Sequence, residues 1–387
     1  MENNIAIIAV AYNRVNSLQR LLESLESAYY ADEHPTLIIS IDKSDTDIVE
    51  RYADNYVWPH GQKIVKKHSN NLGLRNHMFS LGQWFDIFDT LVVLEDDIVV
   101  AKSFYIYTRQ TSDKYFDDNK VAGISLYGFE TNYHTCTPFS PIKDQYDIYF
   151  MNTAMSWGEV WIRSQWRQFY DWYIEHQEFN YQPHLPESIC KWEKSWLKYH
   201  TKYCIENNLY FVYPYTSLST NCGDVGTHNN NYNNNEFQVC LQQGIKLCYI
   251  LPNSLMEATR YDGFFENKIL YDILALSESE CCIDTYGIRK NKEHKRFWLT
   301  TCKAPYPIIK SFAMKYKPIE LNVINMVEGK GIYLYEVQGQ EYCKVNTNPE
   351  EIMRRYNISD ITVLIRKYGI IRVLIVFIKL IYKHFAK

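Results

Sequence analysis

Three consecutive carboxylates, Glu95-Asp96-Asp97, stand between the apolar runs Leu91-Val-Val-Leu94 and Ile98-Val-Val100. A buried strand ending at Leu94 delivers all three to its carboxyl edge, where they repel one another and resist burial unless a cation or hydrogen bonds compensate. Oxygen ligands suit Mg²⁺ or Mn²⁺, and a divalent ion held by one carboxylate while bridging two phosphates is the usual arrangement with nucleotide diphosphates. The competing reading is an acidic turn that caps a helix starting at Ser103.

Other strand ends carry suitable partners. Tyr12-Asn13-Arg14 follows the run 5–11, Asp42-Lys43-Ser44-Asp45 follows 37–41, and Asn70-Asn-Leu-Gly-Leu-Arg75-Asn76 follows 63–67. An aspartate there can accept a hydrogen bond from a nucleobase imide, and Arg14 or Arg75 can neutralise a diphosphate. Singly, each is equally a turn or cap residue. With the triplet they outline a nucleotide crevice.

The elements that must position these residues form a βαβ series. Short, nearly continuous apolar runs at 5–11, 37–41, 63–67, 91–94 and 121–126 predict strands, and 17–28, 46–55, 74–88 and 103–116 predict helices between them. Asn16-Ser17 reads as the N-cap of the first helix, whose Leu18, Leu21, Leu22 and Leu25 recur at helical spacing. Such strands belong to a mainly parallel sheet covered on both faces, which binds ligands beyond its strands' carboxyl ends. Beyond residue 150 the pattern predicts a strand at 149–154, Trp-rich helices at 164–174 and 189–206, a strand at 210–213 and an Asn-rich loop at 228–235. Residues 280–368 mix short strands and helices and carry no assigned chemistry. The expected division is a catalytic domain over 1–235, an extension over 236–368 and a terminal helix over 369–387.

That helix is almost wholly apolar over 370–382, shorter than the roughly 20 residues that span a bilayer. Arg372, Lys379 and Lys383 fall on one side of it, so it reads as an interfacial anchor for an anionic membrane surface, the alternative being a helix packed on the domain.

Composition narrows the field. With 46% hydrophobic and 22% charged residues the chain is a folded globular protein, and a net charge of −4 argues against a generic nucleic-acid binder. The ten cysteines are scattered from Cys136 to Cys343 without a CxxC, which predicts reduced thiols. Glu2 stands where a secretory leader would be basic, so 5–11 reads as a first core strand with a cytosolic start. The 33 tyrosines and nine tryptophans suit stacking on sugars and filling cores alike, so they do not decide between the two.

Five stretches carry a family resemblance: Ala9-Val-Ala-Tyr-Asn-Arg14, Ile39-Ser-Ile-Asp42, Ser80-Leu-Gly-Gln83, Val93-Leu-Glu-Asp-Asp-Ile98 with Ser103-Phe104, and Met155-Ser-Trp-Gly158. In order and spacing, residues 5 to about 228 resemble the GT-A fold glycosyltransferases, most closely the N-acetylglucosaminyltransferase I type and related bacterial surface-polysaccharide transferases of capsule and lipopolysaccharide synthesis. The resemblance implies a Rossmann-like mixed, mainly parallel sheet with helices on both faces, and an inverting transfer from a UDP-sugar. It implies Asp97 as ligand of Mn²⁺ (or Mg²⁺), Glu95 and Asp96 at donor sugar and ribose, Asp42 at uracil and Arg14 at the phosphates. Ala11, Asn13, Arg75 and Asn76 complete the expected nucleotide-sugar contacts. The family's catalytic base lies in a Trp-Asp-Asp-Trp-like stretch after Ser156-Trp157-Gly158. This chain has Lys191-Trp-Glu-Lys-Ser-Trp196 instead, making Glu193 the nearest candidate, with Glu187 and Asp224 as alternatives. Pro214, Asn221, Gly223 and Thr227-His228 match a pattern of the bacterial relatives, which implies His228 as a second metal or phosphate contact beside an Asn-rich lid. The implied acceptor is a glycan, a lipid-linked oligosaccharide at the cytoplasmic face of the inner membrane.

Two other functions compete. A sugar-1-phosphate nucleotidyltransferase needs a Gly-rich phosphate loop after the first strand, and Ala11-Tyr-Asn-Arg14 has no glycine. A membrane-attached, catalytically inactive scaffold would account for the departure at Glu193.

Overall fold

The computed structural model describes residues 3–180, 182–224, 237–289, 295–340 and 359–385. Its first half alternates strand and helix: β1 (Ile5–Ala11), α1 (Val15–Glu26), β2 (Thr36–Ile41), α2 (Ile48–Asn55), β3 (Lys63–Lys67), α3 (Gly73–Ser80), β4 (Thr90–Glu95), β5 (Ile98–Val100), α4 (Phe104–Lys114) and β6 (Val121–Ser125). A 3₁₀ turn, Leu81–Asp86, continues α3. There follow β7 (Thr131–Asn132), β8 (Thr137–Pro138), β9 (Ile148–Met151), β10 (Glu159–Ile162), α5 (Arg163–Glu175), α6 (Glu187–Cys190), α7 (Leu197–Glu206), β11 (Tyr210–Pro214), β12 (Ser219–Asn221) and β13 (Arg260–Tyr261).

Nine strands form one sheet in the order β13-β9-β11-β6-β10-β4-β1-β2-β3. Its pairings are parallel except where β10 runs against β4 and β6 and where β9 runs against β11. The mixed, mainly parallel α/β sheet with helices on both faces is the expected class. Strand β10 was not foreseen: four residues wedged between two strands look in sequence like any short connector.

Alternation along β1 sorts its side chains to two cores. Ile5, Ile7, Ala9 and Ala11 join Leu18, Leu21, Leu22 and Leu25 of α1 on one face, with Val49 of α2 and Phe104 of α4. Ala6, Ile8 and Val10 join Met78 and Leu81, together with Trp166 and Phe169 of α5 and Tyr203 of α7, on the other. Burial, not capping, anchors α1. The expected cap at Asn16-Ser17 is not made: the helix begins at Val15, its N-cap Arg14 supplies no side-chain bond, and the Ser17 hydroxyl donates to Asp224. A missing cap costs about 1 kcal/mol, whereas each of the four fully buried leucines contributes roughly 1.5–3 kcal/mol.

Residues 237–261, which follow the expected domain boundary, run along the main sheet, where Tyr249, Leu255 and Ala258 enter its core and β13 lies beside β9. Next come α8 (Ile269–Leu274), β14 (Cys281–Asp284), β15 (Phe297–Thr300), β16 (Ile308–Phe312), α9 (Glu320–Ile324) and β17 (Ile332–Glu336). The four strands form a separate sheet, β14-β15-β17-β16, over a core that includes Leu270, Ile283, Leu299, Val323 and Leu334. At the end, α10 (Ser359–Tyr368) and α11 (Ile370–Phe385) meet at Gly369, whose φ of 78° a glycine adopts without strain. Among the described residues no helix is long and apolar enough to cross a membrane.

Candidate active site

Strands β1 and β4 are parallel neighbours with Val10 opposite Glu95, so both chains leave the sheet on one rim. Glu95 ends β4, and Asp96 and Asp97 make the turn into β5. Strand β12 pairs with β5, Asn221 opposite Ile98, and the Cys222 N–H donates to the Asp97 carbonyl at 2.8 Å. The triplet is therefore walled on both sides. It does not cap α4, because β5 intervenes and the Ser103 hydroxyl is engaged with the Lys246 N–H at 2.7 Å.

One guanidinium serves the three acids. Arg14 donates through Nη2 and Nε to both oxygens of Asp96, and through Nη1 to Asp97 Oδ2 at 3.2 Å. Burial alone would lower the Arg14 pKa, but Asp96 and Asp97 more than reverse this and hold it above the ordinary range. Burial, then repulsion from Asp97 and Asp96, pushes Glu95 up to about 8, against a hydrogen bond from Ser156 and the charge of Arg14. Burial also raises Asp96, to about 6, despite Arg14. Positive charge is in short supply here.

Asp97 Oδ1 is buried and has no hydrogen-bond partner. A buried carboxylate oxygen in that state costs free energy that a bound cation would offset. Among the described residues no group of three or more His, Cys, Asp or Glu is placed to hold a metal. The free carboxylate oxygen of Asp97 would suit a hard divalent ion, which would need its remaining ligands from outside the protein.

The remaining expected residues separate into two groups. Near the triplet, Ala11 ends β1 and its carbonyl accepts the Asp42 N–H at 3.0 Å, while Asn13 is exposed in the following loop. Asp42 is only 4% exposed. Its Oδ1 accepts the N–H of Lys43 at 2.9 Å and of Leu72 at 2.8 Å, and its Oδ2 accepts the N–H of Gly73 at 3.0 Å. It thus fastens the loop after β3 to the loop after β2 and satisfies the start of α3. Asn76 is exposed and donates back to the Leu72 carbonyl at 3.0 Å.

The second group gathers around α7. Arg75 donates through Nη2 to the carbonyls of Glu193 at 2.9 Å and Ser195 at 3.5 Å and lies 5.2 Å from the Tyr199 ring centroid, whereas Arg14 takes the acids. The helix expected over 189–206 is interrupted: α6 and α7 are separated by 191–196, so Glu193 sits in an exposed connection. Glu187 pairs with Lys191 at 3.2 Å. His228 lies outside the described residues.

Sequence reasoning missed two sets of neighbours. Ser156 of the Met155–Gly158 stretch reaches Glu95. Asp224 accepts from Ser17 at 2.6 Å and pairs with Arg20; burial would raise its pKa, but these two bonds hold it below the usual carboxylate range. The signal was present in the spacing Arg14, Ser17, Arg20, which puts successive polar groups along one side of α1.

No protein-family model matches the sequence, and no curated protein matches it. Among solved structures, the mannosyltransferase PcManGT from Pyrobaculum calidifontis, in complex with GDP-Man and Mn²⁺, is similar at 10% identity and a TM-score of 0.34, over 56% of this chain and 58% of that one. TarS 1–349 of S. aureus with UDP-GlcNAc gives 13% identity and 0.37, over 59% and 61%. GalNAc-T7 with UDP, GalNAc and Mn²⁺ gives 13% and 0.39, over 56% and 43%. Each match spans less than two thirds of the known chain.

Proposed function

We propose that the chain is a metal-dependent glycosyltransferase that moves a sugar from a UDP-sugar to a hydroxyl of a glycan acceptor, with inversion at the anomeric carbon. The observation that carries this reading is the under-neutralised triplet at the β4 rim, where Asp97 keeps one buried, unpartnered oxygen beside Arg14. A rim that concentrates negative charge around a single guanidinium suits a ligand that arrives with a divalent cation and a diphosphate. Bound there, Mn²⁺ or Mg²⁺ would supply Lewis-acid stabilisation of the departing diphosphate.

The chain's own groups have separate tasks. Arg14 exchanges part of its contact with Asp96 and Asp97 for the donor phosphates. Glu95 ends β4 beside Ser156 and is the group we assign to the donor sugar. Asp96 lies beside it for the ribose. Asp42 holds the rim and keeps acceptor capacity on Oδ2 for the base. Glu193 is exposed on the connection beside α7 and is the base we assign to the acceptor hydroxyl. Asp224 is a weak base because Arg20 and Ser17 lower its pKa and both bond its Oδ2. On this reading the terminal helix, with its exposed apolar side chains, rests on the cytoplasmic face of a membrane, where a lipid-linked oligosaccharide of surface-polysaccharide synthesis would be the acceptor.

Calorimetry with UDP and Mn²⁺, then UDP release from UDP-Gal, UDP-GlcNAc, UDP-GalNAc and UDP-Glc, tests the reading. Asp97→Ala should abolish Mn²⁺-dependent turnover. Near-normal turnover by that variant would remove the metal assignment, and a protein that binds UDP without releasing it from any donor would favour the scaffold.

A further inference from the structure

We infer that Arg75 and Lys198 form a second anion-binding subsite, at the start of α7, which takes an oxyanion group carried by the acceptor. The acceptor assignment rests on the proposed function; the subsite itself rests on charge and geometry alone.

The buried and half-buried cations of this fold are ordinarily matched by carboxylates: Arg14 by Asp96, Arg109 by Glu33, Arg289 by Asp262, Lys202 by Glu206 and Lys268 by Glu278. Lys63 is the other kind, with its three N–H bonds on the carbonyls of Ala53, Asp54 and Tyr56. Arg75 and Lys198 fit neither pattern. Among the described residues neither has an ion pair. Lys198, only 6% exposed, donates to the Glu193 carbonyl alone, at 3.2 Å, leaving two N–H groups without an oxygen. Arg75 reaches two main-chain carbonyls, and its Nε is buried without a partner.

The two cations share one location. Both reach the Glu193 carbonyl, and both lie over the Tyr199 ring, at 5.2 Å and 5.3 Å, with Lys198 also 4.7 Å from the Phe179 centroid. Burial first, and then the charge of Arg75, lowers the Lys198 pKa, as expected for two positive groups forced together. Helix α7 adds to the field: its N-cap makes no side-chain bond and its first turn has no acid, so its positive end is uncompensated as well. Glu193, the acid whose charge acts on Lys198, is exposed to solvent. A fork and a point charge over an aromatic floor suit a phosphate or a sugar carboxylate, chemistry that a charged glycan or a phosphate-linked carrier would bring.

The proposal separates the two arginines by substrate, Arg14 for the donor and Arg75 for the acceptor. Inorganic phosphate, glucuronate and neutral glucose should be titrated into the full-length protein with saturating UDP and Mn²⁺, so that the donor crevice is filled. Saturable binding of phosphate or glucuronate, but not glucose, is expected, and the preferred ion identifies the source. Arg75→Gln and Lys198→Met should each weaken it about tenfold or more, whereas Arg14→Gln should leave it within about threefold. No saturable binding, equal loss in Arg14→Gln, or no loss in either subsite variant overturns the proposal. Tungstate soaked into crystals of the unmodified protein asks the same question without a substitution: density beside Arg75 and Lys198 supports the site, and density only beside Arg14 overturns it. If UDP fails to bind while phosphate still does, the donor reading falls and the subsite stands.

Discussion

Arg14 Nη1 donates to Asp97 Oδ2 at 3.2 Å, while the other oxygen of the same carboxylate is buried without a partner. The guanidinium therefore neutralises only part of the triplet, and its removal would leave Asp96 and Asp97 facing Glu95 with no counter-charge. Truncating one partner of a fully buried pair costs 3–5 kcal/mol; with Arg14 25% and Asp97 15% exposed, Arg14→Ala should lose about 2–3 kcal/mol. Urea unfolding at pH 8 measures this, and added Mn²⁺ should restore part of it. A variant as stable as the parent would mean that the acids need no counter-ion.

Gly158→Ala should damage the site through β12. Gly158 has φ 96°, and a Cβ there would stand 2.8 Å from Ser219 Oγ and 3.1 Å from Leu126 Cβ. Ser219 bonds the Trp157 carbonyl and belongs to the strand that walls the triplet. Strain and contact together predict a loss of about 2–4 kcal/mol and weaker UDP binding. Adding Ser219→Ala removes the closest contact, at Oγ, but leaves Ser219 Cβ and Leu126 Cβ each 3.1 Å from the new methyl and the backbone strain in place, so it should recover only part of the stability. Full recovery would show that the backbone conformation costs nothing.

Much of the scaffold was legible because it is local. β1 matches its expected limits because Ile5–Ala11 is a continuous apolar run bounded by polar residues, and β3 matches at Lys63–Lys67 although only Ile64 and Val65 in it are apolar. What escaped was long-range. Ser17 looks like a cap until Asp224, 207 residues away, claims its hydroxyl. Arg75 follows β3, and nothing local tells that its guanidinium reaches the carbonyls of Glu193 and Ser195. Helical periodicity across 189–206 conceals the break that frees Glu193, because Trp192 and Trp196 keep the same spacing whether or not the backbone continues. The clustering of the acids after β4 could be read from the sequence; the distribution of cations among them could not.

Glu266 gives the fold a pH dependence away from the site. It accepts from Thr285 Oγ1 at 2.7 Å and the Tyr286 N–H at 3.0 Å, joining the main sheet's last segment to the second sheet. Burial first, then Asp262 and Asp284, raises its pKa from 4.5 to about 8. The folded state holds this proton where the unfolded chain releases it, so the contribution is complete below the ordinary glutamate pKa and is lost as pH rises towards 8. The loss between pH 5 and pH 8 should be a few kcal/mol. Glu95 and Asp96 have the same sign, so the check is a difference: urea midpoints of the parent and of Glu266→Gln at the two pH values. The variant should show a shallower fall, and an identical fall would place the titration elsewhere.

The terminal helix carries the last prediction. Along α11, Ile371 is 71% and Ile378 61% exposed, and Ile370, Leu374, Ile375 and Phe377 are exposed too, as are Val363 and Leu364 of α10. So many apolar side chains on two successive helices form a patch that a water-facing surface rarely keeps, and Arg366, Lys367 and Arg372 stand among them. The segment should therefore bind vesicles containing anionic lipid and sediment with them, bind neutral vesicles less, and release partly at high salt as surface charge is screened. Removing residues 370–387 should abolish sedimentation without shifting the urea midpoint of the rest, because an interfacial helix contributes nothing to the core. Arg372→Glu should weaken binding to anionic vesicles and leave neutral ones unaffected. A truncated protein that unfolds earlier yet was never vesicle-bound would identify α11 as a helix packed on its own chain.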